Sequence, residues 1–309
     1  MIIKYLKILL VTFLLMFSKG LTIENKIILK IDNEIITTID VLNEITNLKF
    51  FNKNINQLKD EEIYQIAIQS ISKYLIKKNE ITKNFSNIKF QNENYLNQLV
   101  EKTYKDLGFQ NLEDFKYALS ESQVNFEKFQ EKLITDILWN QIIFSKYYNM
   151  LVVDEEKLKI QLENTDKKIN SLYLREIVYE VSGAMEINTK YNLIKNDIKK
   201  LGFESAALKH SLSNTSSNGG NLGWIDEQSI GTEILNELKK ISVKSITQPI
   251  RISSGFLILQ KFDEREIEKD FNEKEQLKKL IDYEKNQQLN NYSNLYFNKV
   301  KKNVKINAP

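Results

Sequence analysis

The chain has 309 residues, no cysteine, one histidine and a formal net charge of +3 at pH 7. Without cysteine, disulfides, thiolate metal sites and thiol catalysis are excluded, and one histidine argues against a zinc site or a Ser-His-Asp triad. Three of the 44 basic residues are lysines within the first twenty residues, so the remaining 41 basic residues equal the 41 acidic residues in number. A near-neutral mature chain gives no electrostatic case for nucleic-acid binding. We expect no metal and no cofactor.

The N-terminus has the pattern of an export signal. Residues 1–7 are short and basic, residues 8–17 are an apolar run of ten, and Ser18-Lys19-Gly20 offers small residues to a signal peptidase. Ten apolar residues are too few to span a bilayer comfortably, although an uncleaved anchor is the alternative. A lipid anchor would need a cysteine. We therefore expect a signal peptide over 1–20, removed to leave a soluble protein with no stable membrane insertion.

A β-hairpin and several helices are predicted over the next 140 residues. Ile27–Ile31 and Glu34–Thr37 flank the pair Asp32-Asn33, which tolerates left-handed backbone, and Thr38 can cap the helix that follows. Apolar residues at helical spacing predict further helices over Asp60–Lys78, over Asn92–Leu107, from Asn111 to Leu119, after Asn125, and from Asp154 through Leu162.

The helix after Asn125 carries an aromatic stripe that includes Trp139 and Phe144. Such a stripe could in principle line a ligand cleft. Its helical spacing favours packing in the core instead, because residues four apart lie on one face of a helix.

The last third of the chain alternates glycine turns with short apolar elements. A strand over Leu172–Val181 is followed by helices over Thr189–Leu201 and Phe203–His210, which Gly202 separates. After the pair Gly219-Gly220, apolar residues at helical spacing predict a short helix. Further on, a proline suits a strand start at 249, and Ser253-Ser254-Gly255 forms a turn into the buried strand Phe256–Leu259.

This order resembles a known family on specific residues. The segment Gly219-Gly220-Asn221-Leu222-Gly223-Trp224 matches the GGxLGW signature of parvulin-type (rotamase) domains, and the proline, the Ser-Gly turn and the aliphatic strand follow in the family's order. The resemblance implies a domain over 169–264 with a small antiparallel sheet surrounded by helices. It also implies peptidyl-prolyl cis-trans isomerase activity, which lowers the barrier of roughly 20 kcal/mol to rotation about an X-Pro bond.

The positions that carry activity in this family are substituted in this chain. Active parvulins resemble one another in a His on the first strand, a Cys or Asp after the second helix, and a His on the last strand. Aligned residue by residue, these positions are Glu176, Ser213 and Leu257. We therefore expect weak or absent isomerase activity.

The resemblance also implies an apolar slot for the proline ring. Its residues here are Leu222, Ile230 and Ile234, with Ser254 beside it. The family usually offers Met and Phe where this chain has Ile230 and Ile234, so the ring would meet aliphatic walls.

A second, weaker resemblance covers the first 165 residues. The stretch Ile31–Thr37 followed by Asp40-Val41 is similar to the opening of SurA-type periplasmic chaperones. Those proteins end in a long helix that packs on the N-terminal helices, and Glu273–Val300 offers such a helix here. Their best-known members hold two parvulin domains, whereas this chain has room for one.

Together the two resemblances imply an α+β fold in four segments. These are a signal peptide at 1–20, a helical chaperone domain at 21–168, a parvulin domain at 169–264 that projects from it, and a C-terminal helix and tail at 265–309. The last segment is expected to pack on the helical domain, because an isolated helix needs its apolar face covered.

Three polar features invite a functional interpretation. His210, the only histidine, lies near the end of a predicted helix, where a cation suits the dipole, so a structural role is preferred to a catalytic one. Asn214-Thr215-Ser216 matches a glycosylation pattern that is taken as chance in a chain of bacterial type. Lys299–Lys305 is expected to be a solvated tail.

Two functions from different classes follow. The first is a periplasmic chaperone that binds unfolded or partly folded exported proteins, such as outer-membrane β-barrel precursors. The second is an active parvulin-type isomerase. The substituted trio Glu176, Ser213 and Leu257 favours the first, and an exported scaffold without clients is the third possibility.

Overall fold

A computed structural model describes residues 24–85, 90–163, 168–181, 183, 186–268 and 273–308. The predicted signal peptide at 1–20 lies outside these residues. The elements up to residue 163 are β1 (Ile27–Ile31), β2 (Glu34–Thr37), α1 (Thr38–Phe51), α2 (Asp60–Asn84), α3 (Glu93–Asp106), α4 (Leu112–Glu121), α5 (Phe126–Tyr147) and α6 (Glu155–Glu163). The later elements are β3 (Lys168–Tyr179), α7 (Glu186–Leu201), α8 (Phe203–His210), β4 (Asn221–Asp226), α9 (Thr232–Lys239), β5 (Ser245–Ile246), β6 (Ile250–Ile252), β7 (Gly255–Glu268), α10 (Glu273–Asn303) and β8 (Ile306–Asn307). The fold is α+β.

The N-terminal hairpin forms with its predicted bounds. Strands β1 and β2 pair antiparallel, and Asp32 in the turn has a φ of 53°. The following helix is capped one residue earlier than predicted, by Thr37 rather than Thr38. The Thr37 hydroxyl accepts from the Asp40 amide at 3.3 Å, and the Asp40 carboxylate accepts from the Thr37 amide at 2.8 Å. This reciprocal pair satisfies two amides, which Thr38 alone could not do.

The other caps follow the sequence closely, but one helix end was predicted wrongly. Asn111 and Asn125 accept hydrogen bonds from amides in the first turns of α4 and α5. Helix α2 continues to Asn84 instead of ending at Lys78. The reason is that Lys77 is not a solvated C-terminal cation: its side chain is buried and forms an ion pair with Asp136 of α5, with the two charged atoms 2.7 Å apart.

The helical core is built around Trp139. Its side chain is fully buried and its indole N–H donates to the Ser293 hydroxyl at 2.9 Å. The ring lies 5.5 Å from the ring of Tyr296 and 6.1 Å from that of Phe297. The prediction that this tryptophan packs in the core is confirmed, while Phe144 of the same stripe lies exposed.

Helix α10 contacts the helical unit at several points along its length. Tyr296 and Val300 enter the cluster around Trp139 together with Ile31 of the hairpin, and Leu280 packs on Leu158 of α6. The predicted solvated tail Lys299–Lys305 is not wholly solvated, because Val300 is buried and Val304 packs on the cluster around Trp139. Beyond it, β8 pairs antiparallel with β1. Within the described ranges, no helix is both long and apolar enough to cross a bilayer.

The second unit is an antiparallel sheet in the order β4-β3-β7-β5, with β6 also paired to β7. Helices α7 and α8 cover one face, where Ile177 and Ile258 are fully buried. Helix α9 and the segment before it cover the other face, which contains Leu174 and Leu257. Strand β7 runs to Glu268, past the predicted boundary at 264, and the four-segment division itself stays a prediction.

The sheet unit contacts the helices through α8, and the expectation that the parvulin domain projects from the helical domain stays a prediction. Leu208 of α8 packs in a cluster with Ile55 and Ile63, and Lys209 forms an ion pair with Glu62. The Ser205 hydroxyl donates to the Asn54 carbonyl at 3.2 Å. Helix α8 therefore packs on the sheet on one side and on the helical unit on the other. Its short sequence does not predict the second contact.

The Gly219-Gly220 turn is shaped by a close backbone approach, which predicts unequal effects of two alanine substitutions. A Cβ at Gly220 would lie 2.2 Å from the Glu176 carbonyl oxygen, whereas one at Gly223 would meet open space. Both have a positive φ, so Gly223→Ala should cost about 1–2 kcal/mol of unfolding free energy. Gly220→Ala should cost at least roughly twice that, because the backbone must also move. Urea unfolding measures both, and equal costs would contradict this account.

Candidate functional site

The predicted catalytic positions lie on one face of the sheet. Strands β3 and β7 pair with Glu176 opposite Leu259 and Val178 opposite Leu257. Because side chains alternate along a strand, Glu176 and Leu257 face the same side, two residues apart in register. The Glu176 amide donates to the Gly220 carbonyl at 2.7 Å, so the glycine turn fixes the backbone of this position.

Glu176 and Ser213 are in direct contact. The Ser213 hydroxyl donates to Glu176 Oε1 at 2.6 Å, and the Thr215 hydroxyl donates to the same oxygen at 2.8 Å. The two hydroxyls are 3.1 Å apart. Burial raises the pKa of Glu176, and the hydrogen bonds from Ser213 and Thr215 partly oppose that shift. Glu176, Ser213 and Thr215 thus form a small network of one carboxyl and two hydroxyl groups. The sequence analysis did not predict the part of Thr215 in it.

The raised pKa of Glu176 predicts how the variant Glu176→Gln changes stability with pH. Above the ordinary value of 4.5 and below the raised value, the folded protein holds a proton that the unfolded chain has lost, so this group's contribution falls as pH rises. Glutamine stays neutral and keeps an acceptor oxygen. The stability of Glu176→Gln relative to the unmodified protein should therefore increase as pH rises above 4.5, as urea unfolding at several pH values can measure.

Exposed Glu233 provides the control for that comparison. Glu233→Gln should leave the pH dependence of unfolding unchanged. If Glu176→Gln shows the same pH dependence as the unmodified protein, the buried carboxyl does not carry the effect.

Leu257 supplies no polar group to this network. It is 6% exposed and packs in the apolar cluster that contains Leu174, Leu238 and Leu259. A histidine substituted here would enter an apolar setting, where burial disfavours its charged form. Restoring the family's residues at the three positions would therefore not be enough to restore their polar environment.

The predicted slot residues are brought together. Ile230 is 3% exposed within the same cluster as Leu257, and Leu222 and Ile234 pack against that cluster half-buried. Ser254 is buried in the turn between β6 and β7, and its hydroxyl oxygen has no hydrogen-bond partner within the described part of the chain. The roles of all seven predicted site residues remain a prediction, although their shared location is now described.

An unforeseen side chain lies on this face. Tyr283 of α10 packs against the cluster of Ile230 and Leu257, and the Gln287 side-chain amide donates to its hydroxyl at 3.1 Å. Burial raises the pKa of Tyr283 to about 12; the Gln287 hydrogen bond opposes this shift, and the charge of Glu176 adds to it. No spacing in the sequence could assign Tyr283 to this face, because the contact joins two units far apart in the chain.

His210 lies outside the network. Its Nε2 is 2.7 Å from the Asp197 carboxylate of α7, and burial lowers its pKa while the hydrogen bond to Asp197 raises it. The pair ties α8 to α7, which agrees with a structural role. Within the described residues, no group of three or more His, Asp or Glu side chains is placed to hold a metal ion.

A cleft of about 1020 Å³ lies between the helical unit and the end of α8 with the segment that follows it. Its helical walls combine apolar side chains with lysines and carboxylates, among them Phe51, Leu99, Leu133, Lys102, Lys132, Glu44 and Asp136. The opposite wall is formed by residues 208–212, 214 and 216–218.

Two lysines of α2 join the cleft to the network. The Lys73 ammonium donates to the Ser213 carbonyl at 3.1 Å, and Lys77 donates to the Asn214 side chain at 3.4 Å. Burial lowers the pKa of Lys73 to about 7. The Asn214 amide in turn donates to the Ser293 hydroxyl at 3.3 Å. The loop that carries Ser213 is thus held by α2 and α10 together.

Comparison with known proteins assigns the sheet unit. Residues 179–263 match the family model described as Rotamase: PPIC-type PPIASE domain. The chain is 24% identical over 183 residues to Chaperone SurA of Pseudomonas fluorescens, covering 55% of this chain and 42% of that protein. It is 21% identical over 183 residues to Chaperone SurA of Hahella chejuensis, covering 56% and 42% respectively. This chain contains a parvulin-type domain and is related to the SurA chaperones.

The matched residues 179–263 make up most of the sheet unit. The chain spans about two fifths of the length of the curated relatives it matches. Solved structures that match include one from Campylobacter jejuni whose description names two SurA-like chaperones, with 15% identity, a TM-score of 0.37, and coverage of 92% of this chain and 99% of that one. PrsA from Bacillus subtilis gives 18% identity, a TM-score of 0.31, and coverage of 90% and 92%.

Proposed function

We propose that this protein is a periplasmic chaperone that holds unfolded exported proteins, outer-membrane β-barrel precursors among them, in the cleft between the helices and the parvulin-type domain. The observation that carries this proposal is the cleft itself. Its volume of about 1020 Å³ can take several side chains of an extended segment. Export is supported by the basic and apolar pattern of residues 1–20.

The lining of the cleft suits binding of varied sequences. Leu99 and Leu133 are half-buried apolar side chains that a client could cover further, and exposed Lys102 borders them. Lys132 lies beside them but is paired with the buried Glu44 carboxylate. Apolar contact is non-directional and therefore tolerant of sequence, while long lysine side chains adapt to different partners. The relationship to the SurA chaperones supports the same function.

Catalysis of proline isomerisation is the second candidate, supported by the match to the PPIC-type family. The side chains present argue for weak activity. Positioned polar groups commonly contribute factors of roughly 10² to 10⁴ in rate. Here Leu257 offers none, and both the Ser213 and Thr215 hydroxyls already donate to Glu176. Chaperone action that does not require isomerisation therefore stands as the main proposal.

A cleft substitution tests the chaperone proposal. Leu133→Asn should weaken binding of a urea-unfolded β-barrel protein several-fold in fluorescence anisotropy, because it places an amide where a client's apolar side chain would pack. The matched control is Leu193→Asn on α7, which is 48% exposed and does not line the cleft. Both variants should keep native circular dichroism. Equal client affinity for the two variants would place the binding surface elsewhere.

A further inference from the structure

A side chain of α10 packs against the apolar slot of the parvulin-type domain. Tyr283 packs against the cluster formed by Ile230, Leu257 and their neighbours, against which Leu222 and Ile234 also pack. Ile230 and Leu257 are 3% and 6% exposed. Neither side chain is therefore accessible to a proline ring in this conformation.

Three observations place α10 over this slot. The ring of Tyr283 belongs to the contacts of the slot cluster. Burial raises the pKa of Tyr283, and the charge of Glu176 adds to that shift. The helix also contacts the turn Glu227–Ser229, which leads directly into Ile230. Each observation involves a different part of the slot: its apolar wall, its polar network and its entry turn.

The same helix is anchored at both sides of Tyr283 by other contacts. Leu280 packs on α6, and Tyr296 packs on Trp139. Tyr283 itself lies outside both clusters, so replacing it should leave both anchors in place. Alanine has the highest helix propensity, so Tyr283→Ala should also keep the helix. The Asn298 amide also donates to Glu180 at the end of β3, which adds a polar contact between α10 and the domain.

We propose that Tyr283 is an internal occupant of the parvulin slot, and that an X-Pro segment of a bound protein can enter only when this part of α10 moves away. The slot is then closed in the resting chain. A client bound elsewhere could open it by displacing α10, which couples the two units through one helix.

Thiol accessibility measures the closure without any ligand, so this test can fail or succeed independently of the chaperone function. The chain has no cysteine, so Ile234→Cys introduces a single thiol in the slot wall. In full-length protein, adding Tyr283→Ala should raise its rate of alkylation by N-ethylmaleimide about tenfold or more, because reaction would no longer need α10 to open. Tyr283→Phe, which keeps the ring, should keep the slow rate.

Tyr117→Ala is the matched control, since Tyr117 is 69% exposed on α4. It should leave the alkylation rate unchanged. If the Ile234→Cys thiol is alkylated at the same rate with Tyr283 and with Tyr283→Ala, whether both rates are fast or slow, Tyr283 does not close the slot. If Tyr283→Ala lost native circular dichroism, Tyr283→Gln, which has good helix propensity and no ring, should show the same rise.

The ligand is tested with the peptide succinyl-Ala-Phe-Pro-Phe-p-nitroanilide. It should slow alkylation of the Ile234→Cys thiol in the Tyr283→Ala background, and slow it much less when Tyr283 is present. An absence of protection in both backgrounds would overturn the competition between Tyr283 and proline segments.

Discussion

Replacing Trp139 by alanine is expected to lower the free energy of unfolding by about 3–5 kcal/mol, the range for large aromatic residues removed from a core. The side chain is fully buried, contacts the rings of Tyr296 and Phe297, and donates to the Ser293 hydroxyl. Since small domains have total stabilities of about 5–15 kcal/mol, such a loss would be a large part of the whole. Urea unfolding followed by far-UV circular dichroism measures it.

The other tryptophan of the chain is the matched control. Trp224 is 37% exposed, and its ring stacks with the guanidinium of Arg265 at 4.1 Å. Exposed cation–π contacts contribute about 0.5–1 kcal/mol, so Trp224→Ala should cost about 1 kcal/mol. Comparable costs for the two substitutions would mean that Trp139 is not the centre of the helical core.

Removal of α10 is expected to abolish cooperative folding of the helical unit. A chain ending at Glu268 loses Leu280, Tyr296 and Val300 from two apolar clusters, and β1 loses its pairing with β8. The faces of α5 and α6 left uncovered would associate, because large exposed apolar patches promote aggregation. Light scattering and thermal unfolding of residues 21–268 beside the full chain measure this effect.

A shorter truncation separates the helix from the strand that follows it. Ending the chain at Lys305 keeps Val304, which packs on the cluster around Trp139, and removes β8, whose two residues are both exposed. This variant should stay soluble, with a modest loss of stability. A soluble, cooperatively unfolding 21–268 fragment would show that the helical unit does not depend on α10.

The local structure could be predicted well where one short pattern decides it. The bounds of the hairpin follow from the pair Asp32-Asn33, and α4 and α5 begin where Asn111 and Asn125 offer side-chain oxygens to free amides. Alignment with the family's catalytic positions selected Glu176 and Ser213, which are in contact, although their roles stay a prediction. In each case the determining interaction lies within a few residues or within one recognisable motif.

The errors arose where contacts between distant segments decide the outcome. Helix α2 passes Lys78 because Lys77 pairs with Asp136 on another helix, and β8 is too short to leave a periodic pattern. The packing of Tyr283 on the slot joins α10 to a separate sheet. Helical spacing marks which residues of α10 are apolar, but it does not say which of two units each one covers.

The central proposal is that the protein mainly binds unfolded chains and does not mainly catalyse isomerisation. Two assays on one protein preparation test it most directly. One assay follows aggregation of an unfolded outer-membrane β-barrel protein, and the other follows isomerisation of the Phe-Pro peptide. We expect suppression of aggregation near equimolar protein, with isomerisation close to the uncatalysed relaxation time of tens of seconds or longer. Fast isomerisation that is lost in Ser213→Ala, together with no suppression of aggregation, would contradict the account.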